Sequence, residues 1–195
     1  MKTETTTAIT ETTIIASTDG KNTFEVVKSL NNVDGDTGVM ILMYPTRNKD
    51  NIYSDDSTLN HLVNHMQEMK LNKVRIINLF SEVVNGKLSA KGLTVDTDNL
   101  NYIESVFADK SFQNCKFIIA WGTSMSTSHA CQESKREVLK LFKKYCPKSK
   151  AFQIATSNAS IDVDFPHPLF LGIRGNRAKW KLEEVKITPS MLKEQ

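Results

Sequence analysis

The sequence predicts an α/β fold: a central, mostly parallel sheet of about four strands flanked by helices, preceded by an N-terminal β-hairpin. Three observations lead there. Short apolar runs at 39–45, 73–80, 115–122 and 150–156 alternate with three segments of helical periodicity, the pattern of strands joined through crossover helices. Those runs carry few polar residues, as expected of strands covered on both faces. Residues 6–28 read differently, because β-branched segments flank "STDGKN", where Asp19-Gly20 is a strong hairpin signal.

Each element can be justified in order. After the hairpin, "NNVDGDTG" (31–38) is a turn cluster and "VMILMYP" (39–45) a buried central strand. From Asp56 the period changes: Leu59, Leu62, Val63, Met66 and Met69 share one face of an amphipathic helix, with Ser54, Asp55 and Asp56 as N-cap material. "KVRIINLF" (73–80) is a strand, "DTDNLNYIESVFAD" (96–109) a helix opened by Asp96 or Asp98, and "CKFIIAWG" (115–122) a strand. Residues 128–145 form a helix with Val138, Leu141, Phe142 and Tyr145 inward and Lys135, Arg136, Lys140, Lys143 and Lys144 largely outward. "KAFQIAT" (150–156) is a weaker strand, and the C-terminal stretch from Arg174 is read as a peripheral element with a frayed tail. One domain, 1–195, is expected, with the hairpin at 6–30, a core at 38–173 and a basic extension at 174–195.

Composition narrows the function classes. With 195 residues, 39% hydrophobic and 24% charged, the chain suits a soluble globular protein with a sizeable core. No apolar stretch approaches the roughly 20 residues that span a bilayer, and "MKTETTTAITETT" has no apolar signal core. A cytoplasmic protein without a membrane partner is therefore expected. Cys115, Cys131 and Cys146 are odd in number and lack CxxC spacing, so they read as buried thiols. There is no P-loop, no GxGxxG and no GxSxG frame. His61 and His65 have the spacing of a helical zinc pair, but no HExxH glutamate or third ligand accompanies them, so neither a metal nor another cofactor is expected. Charge is polarised. Residues 1–112 hold 11 Lys and Arg against 15 Asp and Glu, and residues 113–195 hold 14 against 7, a distribution that could steer an anionic partner.

In an open α/β sheet, ligands bind outside the carboxyl ends of the strands. Four segments leave such ends or approach them: Tyr44-Pro45-Thr46-Arg47, Asn78-Leu79-Phe80, Trp121-Gly122-Thr123-Ser124, and "DFPHPLFLG" (164–172) with His167 between two prolines. Singly, each has a structural explanation as turn, cap or core. Together they would give one rim an aromatic pair for stacking (Tyr44, Trp121), an amide for a base edge (Asn78), hydroxyls near a helix N-terminus, and one imidazole. That inventory suits a nucleotide or a nucleic-acid strand. Tyr44, Pro45, Thr46, Trp121, Gly122 and Ser124 are the candidate base or nucleotide contacts, and Arg136, Lys140, Arg174 and Arg177 the candidate phosphate contacts. Asp50, Asp55 and Asp56 form an acidic cluster that could hold magnesium, activate water or simply cap the next helix.

At these motifs the chain resembles DUF1643, a bacterial and phage family known only as a domain of unknown function. Family members carry N-P-S-T after the first core strand, a D-x-T, an N-L-F and an A-W-G strand end, and a late H-P-L-Y-L. Here they appear as Tyr44-Pro45-Thr46, Asp56-Ser57-Thr58, Asn78-Leu79-Phe80, Ala120-Trp121-Gly122 and His167-Pro168-Leu169-Phe170-Leu171, across about residues 38–173. Tyr44 stands where the family has asparagine. The motif order is more remotely similar to the uracil-DNA glycosylase superfamily. That likeness implies catalytic roles for Asn78, reading a base edge, and for His167, stabilising negative charge on the leaving base, with Leu169 or Phe170 wedging a duplex. No aspartate directly follows strand 39–43 to activate water. The leading expectation is thus a glycosylase-like domain that binds nucleic acid or a nucleotide and that, if it is catalytic, excises a base. The alternatives are a non-catalytic accessory protein of a phage or mobile element, contacting DNA or another protein, and an enzyme for a small phosphorylated metabolite.

Overall fold

A computed structural model of the chain describes residues 2–193 other than 85, 87, 159, 160, 176 and 177. Its strands are β1 (Thr10–Ala16), β2 (Thr23–Leu30), β3 (Asp36–Leu42), β4 (Leu71–Asn78), β5 (Lys116–Ile119), β6 (Ala151–Thr156) and β7 (Trp180–Val185). The helices are α1 (Ser57–His65), α2 (Thr97–Ala108), α3 (His129–Tyr145) and α4 (Pro168–Arg174). All seven strands join one sheet in the order β1-β2-β4-β3-β5-β6-β7. The four strands read from the apolar runs form its parallel centre.

The expected strand number, about four, is too low. The hairpin does not stand apart: β2 pairs antiparallel with β4, Glu25 opposite Ile77, and extends the sheet. Its turn is as read, with Gly20 at φ 73° and the Ser17 hydroxyl donating to Asp19. At the other edge β7 pairs antiparallel with β6 from Ala151–Val185 to Thr156–Trp180. The stretch expected to be peripheral therefore closes the sheet, and Trp180 is 2% exposed.

Period-two alternation divides the centre between two cores. Val39 and Ile41 face α2 and α3, where Phe107, Phe112, Phe117 and Phe142 stack or meet edge-on. Met40 and Leu42 face α1 and α4, beside Leu59, Leu62 and Leu171. Asp56, Asp96 and Ser128 cap α1, α2 and α3, each side chain accepting the amide of Leu59, Asn99 or Cys131, which satisfies donors that a helix start leaves open.

The side of α1 that carries His61 and His65 is covered by α4 and β7. The His61 ring lies against Gly172, where an added Cβ would come within 2.2 Å of it. His65 stacks on Trp180 at 4.0 Å. No group of His, Cys, Asp and Glu suited to a metal occurs among the described residues. No helix among them is long and apolar enough to cross a membrane.

Candidate functional site

The connections that leave β3 and β5, neighbours in the sheet, diverge: one runs to α1 on one face and the other to α3 on the opposite face. Divergence at adjacent carboxyl ends opens a crevice. There the structure has a cavity of about 540 Å³. Val26, Leu42, Pro45, Leu59 and Ile76 supply apolar lining, while Tyr44, Thr46, Asn78, Trp121, Ser124 and His167 bring polar and aromatic groups to it. Four segments distant in sequence thus meet in one hollow.

Hydrogen bonds hold each of these segments. The parallel ladder runs past the strand ends, with the amides of Leu79 and Ala120 donating to the carbonyls of Leu42 and Ile41. Asn99 of α2 donates to the Asn78 carbonyl at 2.7 Å, fixing the residue from behind. The Asn78 side chain, only 3% exposed, makes no hydrogen bond among the described residues, and its Oδ1 is buried without a partner. Native interiors pair nearly all such atoms, and this one belongs to a residue of the cavity wall.

The loop after β3 is anchored from two sides. Thr23 of β2, fully buried, donates to the Arg47 carbonyl at 2.7 Å. Arg47 and Lys28, 3% and 2% exposed, share the carboxylate of Asp55 at 2.5 and 2.6 Å. Thr46 donates a short hydrogen bond to Asp56. Asp56 also lines the cavity, so the carboxylate absent directly after β3 reaches the site from the start of α1.

His167 caps α4: its Nδ1 accepts the amide of Leu169 at 3.2 Å. In the neutral ring that places the proton on Nε2, which is left as a donor. Burial disfavours the imidazolium and pulls the pKa down to about 4, against a weaker opposing pull from Asp56. The imidazole is neutral near pH 7.

Positive φ occurs beside the same hollow: Met125 and Phe165, at 62° and 50°, adopt values that L side chains rarely take, and Gly122, at 71°, adopts them freely. The Gly122 amide donates to the Phe165 carbonyl at 2.8 Å, and a Cβ on Gly122 would lie 3.2 Å from that of His167. The positive φ and this close approach both favour glycine at the position. Trp121 is held between the Phe165 ring at 5.8 Å and the Lys135 ammonium at 5.5 Å, and burial lowers the Lys135 pKa.

Of the candidate phosphate contacts, Arg136 and Lys140 lie along α3 rather than in the cavity lining. α3 begins at the rim but runs back toward the other end of the sheet, so Lys140 lies roughly 16 Å along the axis from His129. Lys140 pairs with Glu137, and Arg136 is half-buried on the same helix. Arg174 ends α4, exposed, next to Ile173 of the mouth, while Arg177 lies outside the described residues. Sequence reasoning missed several lining residues: Arg47, Val26, Leu88, Met125 and Ile173. Arg47 was within reach, two residues after Pro45 in the same motif. Val26 was hidden by treating the hairpin as separate.

Comparison with curated proteins and with solved structures returns no match. Residues 28–169, well over half of the chain, match the family model described as "Protein of unknown function (DUF1643)". That span takes in β3 to β6, the Asn78 and Trp121 strand ends and the His167 loop, and by it the chain belongs to the DUF1643 family.

Proposed function

We propose that the cavity receives the planar base of a nucleotide or nucleic-acid strand, as in a uracil-DNA glycosylase-like domain, and that hydrolysis of the N-glycosidic bond is the reaction its residues suit. The observation that carries this reading is Asn78: a buried amide in the cavity wall, with an acceptor that has no partner among the described residues. A base edge offers the adjacent donor and acceptor that an amide pairs with. Tyr44 and Trp121 supply flat walls for its faces.

For excision, water would attack C1′ as the bond to the base nitrogen breaks. Asp56 would take a proton from that water, and the neutral His167 would donate its Nε2–H to the negative charge developing on the base. A neutral donor remains available across the physiological range because burial suppresses its protonation.

The test is release of free base from nucleosides and from uracil-containing single- and double-stranded DNA, with binding followed in Asn78→Ala and His167→Ala. Expected is base release that either substitution lowers by about 100-fold or more. No release, with affinity unchanged in both variants, removes the reading. A second reading, a non-catalytic DNA-binding accessory protein, is supported by the basic end of α3. There Lys143, Lys150 and Lys186 surround a smaller hollow of about 280 Å³.

A further inference from the structure

Which molecule presents the base follows from the charge around the mouth. The segments bordering it, 44–58, 79–92, 122–128 and 161–174, hold five Lys and Arg and six Asp and Glu. Two of the five cations are committed within the chain, Arg47 to Asp55 and Lys49 to Asp50. The hydroxyl-rich loop 122–128 contains no charged residue. A strand carries a phosphate at every nucleotide, and proteins that hold strands neutralise them with rows of Lys and Arg. Among the described residues this mouth has no such row; Lys135 lies 5.5 Å from the Trp121 ring of the cavity wall as a single further cation. The lysines that could form one begin on α3 and accumulate toward its far end, about 25 Å from the rim for a helix of 17 residues.

Two further observations point to a small ligand. A cavity of about 540 Å³ is the size that encloses a whole small molecule. Its lining pairs a predominantly apolar floor with a few convergent polar groups, Asn78, Thr46, Asp56 and His167. Beside an acidic group, a ligand phosphate would be repelled, whereas sugar hydroxyls could donate to the Asp56 carboxylate.

We infer that the base enters this cavity as part of a single nucleoside, free of a strand and bound better without its phosphate than with it. The inference rests on the base-binding reading above and narrows it to a class of ligand.

Titration calorimetry on the full chain tests it, using the common ribo- and deoxyribonucleosides, their 5′-monophosphates, a short single strand and a duplex. Each is titrated into the wild type, Asn78→Ala and Asn78→Asp, with thermal melting to establish that the variants fold. The expected result is a nucleoside bound about tenfold more tightly than its monophosphate at low salt. Strand binding that depends on Asn78 should be no tighter than that of the monophosphate, and nucleoside affinity should fall about tenfold or more in a folded Asn78 variant. A strand that binds more tightly than any nucleoside, with that affinity lost in the Asn78 variants, overturns the inference and leaves the base-binding reading standing. Absence of any Asn78-dependent binding across the panel overturns both.

Discussion

His167 is the residue whose environment makes the sharpest demand on solution behaviour. Its pKa in the folded chain lies near 4, below the ordinary imidazole value of 6.5, because burial disfavours the cation. Between those values the unfolded chain binds a proton that the folded chain does not, so stability falls as pH drops from about 6.5 to about 4 and is unaffected by this group above that window. The full loss is on the order of 3 kcal/mol. Urea unfolding at several pH values should reveal it, and His167→Gln should show a correspondingly flatter acid limb. Gly122 makes a second demand. Its φ of 71° and the 3.2 Å approach to His167 leave little room for a Cβ, so Gly122→Ala should cost about 1–2 kcal/mol from conformation alone, measured by the same unfolding method. Such residues were legible in the sequence because a strand end followed by Pro, Asn or Trp-Gly marks itself. Met125 and Ile173 were not, since nothing local to a methionine in a loop or an isoleucine on a short helix says that tertiary contacts will turn it into a cavity wall.

Among the elements, the loop after β3 depends on one carboxylate. Asp55 compensates both Lys28 of β2 and Arg47 of the loop, each almost fully buried, and Lys28 also donates to Thr12 of β1. Removing that carboxylate takes an ion-pair partner from both of these buried cations, so Asp55→Ala should destabilise the chain by about 3–5 kcal/mol. The exposed pair Lys49–Asp50 nearby provides the contrast: Asp50→Ala should change stability by about 1 kcal/mol or less. Denaturant midpoints of the two variants decide the matter, and equal midpoints would mean that Asp55 does not anchor the loop. The charge ladder was invisible in sequence, where Lys28 sits in an ordinary-looking hairpin and only the β2–β4 pairing brings it under the rim. α4 and β7 were missed for a related reason. Seven residues between His167 and Gly175 are too few for helical periodicity to register, and "WKLEEV" shows its inward Trp180 and Leu182 only once β6 is there to pair with. By contrast, α1, α2 and α3 announce themselves through an N-cap and several apolar positions at helical spacing.

At the scale of the whole molecule, the charge asymmetry was plain in the sequence but its consequence depended on direction. A helix that starts at the carboxyl end of a parallel strand must run back along the sheet before the next parallel strand can begin. The basic residues late in α3 and in the segment after it are thereby carried away from the cavity, and Lys143, Lys150 and Lys186 meet around the second hollow instead. Two functions of different range can then coexist without sharing residues: short-range recognition of a neutral planar ligand at one end, and long-range attraction of polyanions at the other. Lys150 is paired with Glu184, whereas Lys143, Lys148 and Lys186 have no ion pair among the described residues, so these three would carry any attraction. The triple substitution Lys143→Glu, Lys148→Glu and Lys186→Glu should abolish whatever duplex affinity the protein has. Before substitution that affinity should fall steeply with salt, because phosphate contacts release counterions. Nucleoside affinity at the cavity should remain within about twofold of the wild type, since Lys143 lies roughly 21 Å along α3 from His129, beyond two Debye lengths at physiological ionic strength. Paired titrations of duplex and nucleoside at low and physiological salt measure both. A loss of nucleoside binding in the triple variant would show that the two ends are coupled through the sheet, and a duplex affinity untouched by it would place strand binding on another surface.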